Sequence, residues 1–112
     1  MANRLVRARP VEGRLPELRD RLDSGEIAEL DPFGEAMTRA LDEARFDSDT
    51  GEAAWVEEDY CTPPLAMERE AVLDEYFREI TIVEADVDEG EGWNRLEHLP
   101  GLWEALGTEP EG

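Results

Sequence analysis

EITIVEADV, residues 79–87, gathers Ile80, Thr81, Ile82, Val83 and Val87 into one short segment. Branching at Cβ restricts χ1 and suits a pleated strand better than a helix, so this segment reads as β. Before it, Thr62-Pro63-Pro64 ends one element and opens a helix in which Leu65, Arg69, Val72, Leu73 and Tyr76 recur at helical spacing up to Phe77. Further back, EAAWVEEDYC (52–61) alternates Ala54, Val56 and Tyr60 with charged or exposed positions and reads as a strand. The turn formers DSDTG (47–51) separate it from a helix that Asp31-Pro32 is placed to start, with Phe33, Met37, Ala40, Leu41 and Ala44 on one face.

Nearer the N-terminus, Leu15, Leu18 and Leu22 predict a helix, with Gly25 as a stop or bend before Ile27 and Leu30. RLVRARPV (4–11) predicts an edge strand ended by Pro10 and Gly13, its outer face lined by arginine. After residue 87, DEGEG (88–92) reads as a turn. Trp93, Leu96, Leu99, Leu102, Trp103 and Leu106 then supply a bent or double short helix interrupted by Pro100-Gly101. The expected fold is α+β: a small three-stranded sheet covered by helices on one face, with a ferredoxin-like half sheet as the nearest template. Residues 1–107 are expected to form a single α+β domain and residues 108–112 a frayed C-terminal tail. So few strands leave an exposed edge, which a homodimer would cover.

Charge is the second strong signal. Thirty acidic residues stand against eleven basic ones in 112, a net charge of −19. All the basic residues are Arg, Gln is missing, and Asn occurs twice. Such self-repulsion opposes a compact state in dilute buffer, while molar salt screens it to within about 3 Å. The composition resembles that of halophilic archaea that accumulate KCl. Forty per cent hydrophobic residues, with aromatics spread along the chain, argue for folding rather than an acidic disordered tail. A single cysteine allows no internal disulfide, and no apolar run is long enough to cross a bilayer, so the expectation is a cytoplasmic protein, neither secreted nor membrane-inserted.

Few residues carry chemistry. Cys61 stands between a strand end and a helix start, where helix amides lower a thiol pKa, although a lone cysteine is more often an inert small hydrophobe. His98, the one histidine, has no adjacent Ser and no second His. Together they are the candidates for a catalytic pair. The run Glu57-Glu58-Asp59 reads as a solvated acidic face rather than a metal site, and DVDEGEG (86–92) lacks the spacing of a calcium loop. No metal or cofactor is expected.

Residues 1–21 carry six Arg and three acids, leaving −22 on the rest. Arg7 and Arg9 are thus candidates for a small anionic ligand, against the plainer expectation that Arg4, Arg7 and Arg9 pair with the chain's own carboxylates or a dimer mate's. Strong acidity argues against nucleic acid as a partner.

WVEEDYCTPPLAMEREAVLDEYF (55–77) followed by EGEGW resembles a pattern of small uncharacterised haloarchaeal proteins. The resemblance covers roughly the second half of the chain and implies a halophilic origin, with no site residue. The expected function is a non-enzymatic, homodimeric interaction or ligand-binding module adapted to high salt. The alternative is a small enzyme using Cys61 or His98 on an anionic substrate.

Overall fold

The computed structural model describes residues 2–59 and 65–106. Four strands, β1 (Ala2–Pro10), β2 (Arg45–Asp47), β3 (Glu52–Asp59) and β4 (Phe77–Glu84), form an antiparallel sheet in the order β2-β3-β1-β4. The α+β class is as expected, with four strands in place of three. The additional strand, β2, has three residues, too few for alternation to reveal. Its last residue also opens the DSDTG turn, where Gly51 takes φ 76° and donates its N–H to the Asp47 carbonyl at 2.8 Å. With β2 in place, helices lie between β1 and β2 and between β3 and β4, and β2–β3 is a hairpin at one side of the sheet.

β1 is a central strand, not the expected edge. It pairs with β3 from Ala2↔Asp59 to Ala8↔Ala53, and with β4 from Leu5↔Glu84 to Pro10↔Phe77. Leu5, Val6 and Ala8 are buried, an apolar density that suits a strand covered on both sides. Pro10, which lacks an N–H, occupies the final pair, where its cost to the ladder is least.

The two edges of the sheet differ. Outside β2 the chain seals itself: Phe46 N–H donates to the Pro100 carbonyl at 2.9 Å, Leu102 N–H donates to Ala44 at 2.8 Å, and Arg45 bridges Gly101. β4 has no strand along its outer side among the described residues.

Leu15, Leu18 and Leu22 bury one face of α1 (Leu15–Ser24), which stops where Gly25 adopts φ 84°. The expected continuation through Ile27 becomes a turn. The next helix, α2 (Gly34–Asp42), begins after the Asp31-Pro32 pair, and no side chain caps it, so Asp31 does not play the expected role. Its first residue must be glycine, because a Cβ there would lie 2.3 Å from the Ile27 carbonyl oxygen.

After residues 60–64 the chain runs helically through α3 (Ala66–Glu68), a π-turn (Arg69–Leu73) and α4 (Asp74–Tyr76) into β4. The expected turn at 88–92 is the start of α5 (Glu89–Leu96), capped by Asp88, whose Oδ2 accepts the Glu91 N–H at 3.1 Å. The last helix, α6, spans Leu102–Ala105. The tail expected at 108–112 lies outside the described residues.

Both faces of the sheet are covered at least in part, which corrects the one-face expectation. On the main face Val6, Ala8, Ala53 and Trp55 meet α1, α2 and the π-turn segment, with Trp55 and Phe77 ring centroids 5.0 Å apart. On the second face Leu5, Ala54 and Val56 form a smaller core with Val87 and Leu96 of the α5 region. Gly92 makes that approach feasible: a Cβ there would lie 2.7 Å from Val56 Cγ2. The glycines that made 88–92 look like a turn therefore serve close helix–sheet packing.

Candidate functional site

The arginines of β1 reach the second face wherever their position is odd, since neighbouring side chains alternate across the sheet. Arg7 Nη1 lies 3.2 Å from Asp47 Oδ2 on β2 and 3.4 Å from Glu52 Oε1 on β3, so one guanidinium ties three strands. Its hydrogen bond is the main reason that the Asp47 carboxyl titrates below the usual aspartate range, with backbone N–H groups of the DSDTG turn adding to the effect. Arg9 Nε pairs with Glu79 Oε2 at 2.5 Å, and its Nη1 donates to the Thr50 carbonyl at 2.9 Å. Arg45 donates to the Leu99 carbonyl at 2.7 Å. Both arginines singled out for an anionic ligand are thus engaged by the chain's own oxygens.

The same economy recurs elsewhere. Arg19, buried in α1, bridges Asp23 (2.8 Å) and Asp42 (2.6 Å) and stacks 4.8 Å from the Trp103 ring centroid, holding α1, α2 and α6 together. The Tyr76 hydroxyl accepts from Arg21 and donates to Glu17, each at 3.0 Å. Burial raises the pKa of this phenol, while Arg14 and the Tyr76 hydroxyl lower that of Glu17.

Beside Arg9 lies an apolar groove of about 410 Å³ lined by Pro10, Val11, Leu15, Pro16, Phe46 and Leu106. Gly51 lies on its rim, and a side chain there would come within 3.2 Å of Arg9 Nη1. Arg7 and His98 do not line it. His98 is exposed in the turn after α5. Cys61 lies outside the described residues, so the suggested Cys61–His98 pair is not assembled by any observed contact. Among the described residues no group of three or more His, Cys, Asp or Glu side chains is arranged to hold a metal.

Two residues escaped the sequence reading. Glu57 and Glu68 are 1% and 0% exposed, although Glu57 belongs to a run expected to be a solvated face. Glu57 lies two residues after Trp55 on the same side of β3 and accepts the indole N–H at 2.8 Å. Because both faces of β3 are covered, Trp55 and Glu57 point inward as surely as Ala54 and Val56. The signal lay in that i, i+2 spacing from a tryptophan. The two carboxylates flank the 60–64 segment that contains Cys61, one before it on β3 and one after it on α3.

Comparison with protein-family models, curated proteins and solved structures returned no match.

Proposed function

We propose that this chain is a non-enzymatic interaction module that works as a homodimer in the salt-rich cytoplasm of a halophile, of the kind found in small haloarchaeal proteins. The observation that carries this reading is the contrast between the sheet's edges: Pro100–Leu102 seals β2, whereas β4 keeps its outer backbone groups open among the described residues. An open edge rich in β-branched residues is a template for another strand. The acidic composition supports the high-salt setting, because a charge of −19 per chain is compatible with association only when screened.

The enzyme alternative is weakened by the pairing of Arg7 with Asp47 and Glu52, which leaves that guanidinium committed to the fold. A small anionic ligand remains part of the proposal only at Arg9, half-exposed beside the apolar groove. Sedimentation across a KCl series tests the reading. In molar KCl the expected species has twice the chain mass of 12.7 kDa, and dilution of the salt should give monomers and then cooperative unfolding. A 12.7 kDa folded species at every protein concentration in molar KCl would remove the homodimer. Full stability in salt-free buffer would remove the halophilic setting.

A further inference from the structure

We propose that two copies join through their β4 strands, antiparallel, about a twofold axis at Thr81. This rests on the homodimer reading above and adds its surface and register.

β4 departs from a regular ladder at two places. Its pairing with β1 shifts between Leu5↔Glu84 and Val6↔Ile82, and again between Arg7↔Thr81 and Arg9↔Arg78. The extra residues fall at Val83 on one side of Thr81 and in the Glu79–Ile80 step on the other, where Glu79 takes φ 52°. Bulges usually spoil an edge for pairing. Here they stand at matching distances from Thr81, so a twofold axis through that residue places Glu79 of one copy opposite Val83 of the other.

Side-chain chemistry follows the same symmetry. Glu84, Thr81 and Arg78 pair with Leu5, Arg7 and Arg9, which places them on the second face, whereas Ile80 and Ile82 pack against the main core. About an axis at Thr81, Arg78 faces Glu84 of the second copy on one side of the sheet. Ile80 faces Ile82 of the second copy on the other side, and Thr81 faces its own counterpart. These three pairs are matched in face as well as in character, while the two bulge residues, Glu79 and Val83, meet as an acid beside an apolar side chain. A slip of one residue would set Arg78 against Val83 and send Ile80 to the wrong side.

Two single-chain features gain a purpose. Arg78 is exposed and makes no ion pair among the described residues of an otherwise acid-rich chain. Val83 is 47% exposed, and Ile80 and Ile82 are only half-buried. Dimerisation would cover this apolar strip, bring Arg78 to a Glu84 already paired with Arg95, and make one continuous sheet from two copies of the four-stranded one.

Cysteine cross-linking tests the register. In a Cys61→Ser background, Thr81→Cys places the two sulfurs on the axis, where opposed Cα atoms lie about 4.5–5.5 Å apart, within disulfide range. Arg78→Cys would leave its Cα atoms about 20 Å apart. Mild oxidation in molar KCl should therefore link Thr81→Cys at least about tenfold faster than Arg78→Cys, since only the former meets disulfide geometry. A dimer mass without preferential linking at residue 81 would overturn the register and leave the homodimer standing. Absence of the dimer mass would overturn both.

Arg78→Glu probes the contact without touching the axis. Its two like-charge pairs should raise the dimer Kd about three- to tenfold with the monomer's circular dichroism unchanged, and adding Glu84→Arg together with Arg95→Glu, which keeps residue 84 paired within its own chain, should restore it. An unchanged Kd, or no restoration by the triple exchange, would count against the Arg78–Glu84 contact and with it the axis.

Discussion

The two faces of the sheet are made by the same two central strands and hold together by different physics. On the main face Val6, Ala8, Ala53 and Trp55 meet three helical segments in a continuous apolar core. On the second face the apolar part is confined to Leu5, Ala54, Val56 and the side chains of the α5 region, after which Arg7 and its carboxylates take over. Apolar burial is indifferent to screening or favoured by salting-out ions, whereas exposed ion pairs weaken as salt rises. A chain with a net charge of −19 thus carries its larger apolar core on the face whose contacts added salt does not weaken.

The main face depends most heavily on Trp55. Trp55→Ala empties the main core and takes the indole donor from buried Glu57, so denaturant unfolding in molar KCl should show a loss of about 4 kcal/mol. A loss under about 1 kcal/mol would mean that the main face does not dominate. Next in size is Gly92→Ala, which forces α5 away from Val56 and should cost about 2 kcal/mol. Combining it with Val56→Ala should recover part of that cost, because the two sites share one contact.

The smallest effect belongs to Asp47→Asn, on the ionic half of the second face. Because Asp47 titrates below its usual range when folded, its contribution is complete above the ordinary carboxylate pKa and fades as pH falls through the lowered value. Wild type and variant should therefore differ at neutral pH and converge in acid, with a smaller difference as KCl increases. A constant gap across pH would assign Asp47 an uncharged role in the turn.

Much of this fold was legible because the signals are local and redundant. The β-branched run around Ile82, the Leu15–Leu18–Leu22 spacing and the αL glycine after α1 each point to one structure. β2 was hidden by its brevity, since three residues joined to a turn leave no alternation to read. The start of α5 was masked by Gly90 and Gly92, even though Asp88 followed three residues later by Glu91 is a helix-start pattern. Glu57 was concealed by composition: among thirty acids a buried one looks like all the rest, and only its spacing from Trp55 marks it. The candidate ligand arginines were found by charge, but the carboxylates that engage them come from β2, β3 and β4, partners that only the folded register brings alongside β1.

The π-turn at Arg69–Leu73 acts as a phase corrector. Four residues exceed one α-helical turn by about 40°, so positions spaced by four drift steadily around a regular helix. Glu68, Val72 and Tyr76 are spaced by four and are all fully buried. The wider i→i+5 winding between the first and the last absorbs that drift. One helix of two angular periods can thus keep an acid and a tyrosine, two turns apart, both turned away from water.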